Sequence, residues 1–270
     1  MHDRISVNAL CFPGAKLSEM ADHWRALGPR RISFPGPLLD EGLPLARQII
    51  AEDGRRLECM THLFLAGGQL DRREETCAEE RAKLSRIIVG AAELGARGVY
   101  MLTGGRGEMS WEDAAECFAG IIAPCVAEAK AAGVPLMIEP TSAFYAHGHI
   151  CHSLRDTLAL ADMAGIGVCI DIFACWTEAG LDKTLARAAS RCGLVQVSDY
   201  VYGDRCLPSR AVPGDGNIPL KRIFDALLSA GYEGAFDLEL IGPRIDAEGR
   251  REAVRRAGDR VGEMLTSLGA

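Results

Sequence analysis

Residues 131–140, AAGVPLMIEP, end a helical pattern at a glycine and pass into a short apolar run that closes on an acid. AGIGVCID (164–171) does the same, and LGARGVYML (94–102) repeats the glycine-then-apolar order. A glycine is a frequent helix stop, and a brief apolar run beyond it reads as a buried strand. The recurring unit is a helix followed at once by a strand.

Read outward from these stretches, the chain offers eight strands, at 4–10, 31–34, 57–64, 98–102, 134–140, 165–173, 194–198 and 235–241. Each precedes a helical pattern, at 16–27, 42–53, 74–95, 111–132, 153–164, 181–191, 217–230 and 246–268. Eight β-then-α units predict parallel strands with helical crossovers and match the count of a (β/α)8 TIM barrel. A doubly wound open sheet is the alternative, but no Gly-x-Gly-x-x-Gly turn follows the first strand. The 270 residues suit one barrel domain spanning 1–270.

Composition narrows the function classes. The chain is 48% hydrophobic and 25% charged with a net charge of −7, and no Lys/Arg-rich block offers itself to a phosphate backbone. REAVRRAGDR (251–260) alternates bases with acids and reads as a solvated helix face. No apolar stretch reaches the ~20 residues that span a bilayer, and MHDRISVNALCF (1–12) lacks the pattern of a secretory signal. The ten cysteines are scattered without a C-x-x-C pair, which suits reduced, buried thiols. The expectation is a cytoplasmic protein acting on a small molecule, with neither nucleic acid nor membrane as partner.

In a barrel of this kind the chemistry gathers at the C-terminal strand ends. Those ends carry Asn8, His62, Glu139, Asp171, Gln196 and Glu239. Gln196, in GLVQVSDY (193–200), is the odd one: a buried amide left without partners costs about 1–3 kcal/mol. Any single acid at a strand end could serve as a helix cap or one half of an ion pair. Four polar residues on successive strands five to eight point instead to one shared metal or substrate site. Three convergent carboxylates repel, and a divalent cation relieves that repulsion. Glu139, Asp171, Gln196 and Glu239 form an all-oxygen set that suits Mn²⁺ or Mg²⁺ better than Zn²⁺.

The pieces MIEP (137–140), GVCIDIF (167–173), VQVSD (195–199), RAVPGDGNIPL (210–220) and FDLEL (236–240) occur in an order that resembles the xylose isomerase-like barrels, the sugar phosphate isomerase/epimerase superfamily. The resemblance covers nearly the whole chain. It implies one divalent ion on Glu139, Asp171, Gln196 and Glu239, with Co²⁺ and Zn²⁺ as alternatives to Mn²⁺ or Mg²⁺. It implies an acid/base pair, Glu139 and Glu239, acting beside a carbonyl. It also implies an oligomer by analogy, since members are often dimers or tetramers. The resemblance implies first a metal-dependent isomerase or epimerase of a sugar or related hydroxy-carbonyl compound, acting through an enediolate. Most members carry histidine where this chain has Gln196, and the glutamine resembles the 3-dehydroshikimate dehydratase subset, which makes a lyase the alternative. Many members also have histidine at the place of Ala174 in DIFACW (171–176), so a barrel that has lost catalysis and serves as a binding subunit is the third alternative. A related abasic-site endonuclease has a larger histidine set and a basic surface, both lacking here.

Other residues are candidates for holding substrate. Arg210 precedes the PGDG loop, and its fork suits a carboxylate or oxyanion; Asn217 at the loop's end could cap the next helix. His62 ends strand three, where relatives often contact substrate, though a core histidine is an equal expectation. AHGHICH (146–152) carries His147, His149 and His152, with too few carboxylates nearby for a second metal; His149 aligns with a dehydratase histidine. Arg106 in TGGRGE (103–108) could hold an anion, and Trp176 and Phe144 could wall the pocket or simply pack.

Overall fold

In the computed structural model, which describes residues 1–270, eight parallel strands close into a barrel in chain order. They are β1 (Ile5–Asn8), β2 (Arg31–Pro35), β3 (Arg56–Leu63), β4 (Val99–Leu102), β5 (Leu136–Ile138), β6 (Gly167–Asp171), β7 (Cys192–Val197) and β8 (Ala235–Leu238). Helices α1 (Leu17–Leu27), α2 (Leu43–Glu52), α3 (Glu74–Glu93), α4 (Trp111–Ala132) and α5 (Leu154–Ala164) follow the first five strands in turn. The short α6 (Ile172–Cys175) and then α7 (Leu181–Ala189) follow β6, α8 (Leu220–Ser229) follows β7, and α9 (Pro243–Glu248) and α10 (Arg250–Ser267) follow β8. The fold is a (β/α)8 TIM barrel. No helix is long and apolar enough to cross a membrane.

The helix-stopping glycines act as expected: Gly133 and Gly165 end α4 and α5 with φ of 69° and 67°, a backbone that favours glycine. Several boundaries differ from the sequence expectation. Strand five shrinks from 134–140 to three residues, because Pro135 and Pro140 have no N–H for a ladder. Strand six stops at Asp171, whose carboxylate accepts the Phe173 N–H at 3.0 Å and starts α6. The final helix, expected at 246–268, is divided at Gly249, where φ is 92°. Asn217 caps no helix: α8 begins at Leu220, and the Asn217 side chain accepts the Tyr202 N–H at 2.9 Å.

Side chains alternate along a strand, and this decides what lies inside. Cys59, Tyr100, Met137, Cys169, Leu194 and Ala235 form a separate buried cluster drawn from β3 to β8, the apolar plug of the barrel. Two residues further along each strand, on the same face, stand Thr61, Leu102, Glu139, Asp171, Gln196 and Asp237. Beside the plug, β1, β2 and β8 contribute the buried polar group Ser6, Asn8, Ser33 and Asp237. The Asn8 amide donates to Asp237 at 2.8 Å and to the Tyr100 hydroxyl at 3.3 Å, and its oxygen accepts the Leu10 N–H at 3.0 Å.

The long connection from β7 to α8 is organised by a single carboxylate. Buried Asp199 accepts the N–H groups of Tyr200, Gly214, Gly216 and Ile218 at 2.8–3.0 Å. Gly216 is required there, since a Cβ would stand 2.3 Å from an Asp199 oxygen. Backbone bonds between Asp199 and Ala211, at 2.8 and 2.9 Å, and from Arg210 N–H to the Ile241 carbonyl, at 3.1 Å, then fix where the Arg210 side chain leaves the loop.

Two predictions follow from these buried acids. Asp199→Ala leaves several N–H groups unpaired and should destabilise the protein by about 3 kcal/mol in urea unfolding; a loss under about 1 kcal/mol would contradict the assigned role. Burial lifts the Asp237 carboxyl to about 7, above its unfolded value. The folded protein therefore holds this proton more tightly, and stability declines by a few kcal/mol as pH rises from about 4 to about 7. Melting temperatures of Asp237→Asn at pH 5 and pH 8 should differ less than those of the wild type.

Candidate active site at the barrel mouth

Glu139, Asp171, Gln196 and Glu239, from four neighbouring strands, stand buried together at the C-terminal mouth. Glu139 and Glu239 lie one residue beyond the ends of β5 and β8. Asp171 closes β6 and pairs in register with Gln196 of β7. The register of the parallel strands thus brings together the four residues singled out in the sequence.

Arg210 lies among them. Its guanidinium donates to both Asp171 oxygens, at 3.2 and 2.8 Å, and to the Ser198 hydroxyl at 3.0 Å. It pairs with Glu239 at 3.0 Å and lies over the Phe173 ring, 4.8 Å from its centre. The fork expected to meet a substrate anion is engaged by the protein's own carboxylates. Although burial opposes it, Asp171 and Glu239 drive the Arg210 pKa upward, so this cation is permanent.

Gln196 is placed as expected but turned differently. Its NH₂ donates to Glu239 and, at 3.3 Å, to the Tyr100 hydroxyl. Its carbonyl oxygen, expected to face a cation, accepts from the Cys169 thiol at 3.4 Å. Turning the terminal amide over would exchange the two ends without moving the rest of the side chain.

Charge is unbalanced here. Three carboxylates face one guanidinium, and Glu139 has no ion pair. Burial, followed by the charges of Glu239 and Asp171, pushes the Glu139 pKa well above the carboxylate range. Burial also raises Glu239, but Arg210 beside it opposes the rise. No three His, Cys, Asp or Glu side chains stand as a ready-made ligand cluster. The donor chemistry nevertheless fits a hard divalent cation: three carboxylates and an amide oxygen, short of positive charge.

The mouth opens into a cavity of about 660 Å³ that Glu139, Asp171, Arg210, Glu239 and His62 border. His62 packs edge-on to Phe64; its Nε2 is buried without a partner, and burial lowers its pKa to about 4. The other substrate candidates lie elsewhere. His149 is a structural clasp: Nδ1 accepts from the Thr103 backbone N–H at 3.0 Å, and Nε2 bonds the Glu139 carbonyl at 2.7 Å. Arg106 is exposed and donates to the Met109 carbonyl at 3.0 Å. Trp176 packs with Tyr200 and Tyr202 beyond the cavity wall, and Phe144 points to solvent while its neighbour Tyr145 borders the cavity. Sequence reasoning missed Tyr100 and Ser198: one is hidden in an apolar run, the other looks like an ordinary loop serine.

Among solved structures, protein SMc04130 from Sinorhizobium meliloti 1021 superposes with a TM-score of 0.87 at 25% identity, over 97% of this chain and 98% of that one. L-ribulose 3-epimerase gives 0.82 at 21% identity, over 98% and 95%. The IolI protein, solved with a zinc atom bound, gives 0.81 at 14% identity, over 98% and 99%. No curated protein matches the sequence. Residues 18–260 match the family described as xylose isomerase-like TIM barrel, and the chain belongs to that family.

Proposed function

We propose that the protein is a divalent-metal-dependent isomerase or epimerase of a sugar or related hydroxy-carbonyl compound. The observation that carries this reading is the excess of buried carboxylates over cations at the mouth: Glu139, Asp171 and Glu239 against Arg210. Glu139, Asp171, Glu239 and the Gln196 oxygen would hold the ion, and the oxygen set favours Mn²⁺ or Mg²⁺. The zinc in IolI and the epimerase activity named for another barrel of this shape support the reading. When bound, such an ion supplies Lewis-acid polarisation of a substrate carbonyl.

The residues divide the remaining work. Glu139 and Glu239, at the ends of β5 and β8, would form the acid/base pair: one removes the proton α to the carbonyl, and the other returns one to the opposite face or the neighbouring carbon. Arg210 orients Asp171 and Glu239 and offsets their charge. Loss of a β-substituent after the same first proton transfer would make the enzyme a lyase. Gln196 still favours that second reading, but His149, its other support, lies outside the cavity wall.

The test combines metal analysis with proton exchange from D₂O into a panel of keto-sugars, followed by mass spectrometry. The expected result is one divalent ion per chain, exchange that stops on chelation and returns with Mn²⁺, and a Glu239→Gln rate lower by about 10²–10⁴. Loss of water from the exchanged compound would select the lyase. A protein that takes up no divalent ion and exchanges no proton would contradict both enzyme readings.

A further inference from the structure

The cavity is two-sided. Its β5–β8 side carries the carboxylates, but its other side is largely apolar: Pro35 at the end of β2 and Pro37 beyond it, Leu63 at the end of β3, Leu102 of β4 and Ile87 of α3. Ile87 reaches this wall because residue 36 is glycine; a Cβ there would stand 2.2 Å from Ile87 Cδ1. Leu63, Tyr145 and Leu207, all bordering the cavity, are 46%, 37% and 41% exposed. A compact polyol needs hydrogen-bonding groups on every side, since each hydroxyl that leaves water must find a partner. Away from its charged outer rim, this wall provides few.

It provides two. Thr61 and His62 of β3 border the cavity and are more than nine-tenths buried, yet Thr61 Oγ1 and His62 Nε2 have no partner. At the outer end, Asp40 and Glu80 stand with Lys83 and Arg86, and Lys83 pairs with Glu80. Two acids and two bases give that rim no net charge with which to select an anion. The volume lies in the range that encloses drug-sized ligands.

Building on the metal-site reading above, we propose that the substrate has two parts: a hydroxy-carbonyl head at the carboxylates, and an uncharged arm with an aromatic or branched apolar body lying between β2, β3 and α3. Thr61 and His62 meet a polar atom near the junction of head and arm. The ligand is a glycoside or similar conjugate rather than a free sugar.

Binding, rather than turnover, tests this. Acetohydroxamate and 3-phenylpropanohydroxamate share one chelating head and differ in the arm; each is titrated calorimetrically into Mn²⁺-loaded protein, with free Mn²⁺ as the blank. The phenyl ligand should bind roughly ten- to a hundredfold more tightly. Ile87→Glu and Leu63→Asp should each remove most of that advantage and leave acetohydroxamate unchanged. Leu63 is already half exposed, so its variant keeps the test open if Ile87→Glu fails to fold. Equal affinities in the wild type, or variants that weaken both ligands alike, would overturn the two-part substrate and leave the metal site standing. Failure of both ligands to bind would overturn the metal-site reading and the proposal with it.

Discussion

One guanidinium holds two of three buried acids at the barrel mouth, and the site is arranged around that pairing. Burying a carboxylate costs several kcal/mol even after relaxation. Arg210 offsets that for Asp171 and Glu239 through contacts of 2.8–3.2 Å. Glu139, one strand from Asp171 and outside any ion pair, is pushed upward by burial and by its acidic neighbours, with only partial relief from Arg210 and Gln196. Two glutamates in one cavity thereby meet different surroundings: Glu239 stands against Arg210, and Glu139 has no ion pair.

The pairing depends on two pieces of scaffold. Asp199 gathers the N–H groups of residues 200, 214, 216 and 218, and so shapes the loop from which Arg210 projects. His149 joins the Thr103 N–H to the Glu139 carbonyl and pins the end of β5 against the end of β4. His149 looks functional in the sequence because it is polar and lies near the motifs, whereas Asp199 is only the last letter of one. Their work is to set backbone, and their polar atoms are already engaged.

The barrel was legible because its signals are local: glycine stops, short apolar runs and a period of two. The four mouth residues were legible as polar groups at strand ends: Glu139, Asp171 and Gln196 stand two positions beyond a plug residue, and Glu239 four beyond Ala235. What stayed hidden depends on contacts between distant segments. Arg210 meets a residue 39 positions earlier, and no local pattern tells whether its fork faces substrate or protein. Tyr100 sits in an apolar run where its hydroxyl, a partner of both Gln196 and Asn8, leaves no trace. Gln196 drew attention as a misplaced amide; its place was readable, but the direction of its amide depends on Glu239, Cys169 and Tyr100, which only the fold brings beside it. Arg106 and Trp176 were selected by residue type alone, and the loops carry both away from the cavity.

On the proposed reading these four side chains form one divalent-cation site. The most direct measurement is a crystal structure of Mn²⁺-soaked protein with anomalous data collected near the manganese edge. The expected result is a single strong peak contacted by oxygens of Glu139, Asp171 and Glu239, with the Gln196 amide turned so that its oxygen faces the ion. No peak at the mouth under saturating Mn²⁺, with Arg210 still bridging Asp171 and Glu239, would contradict it.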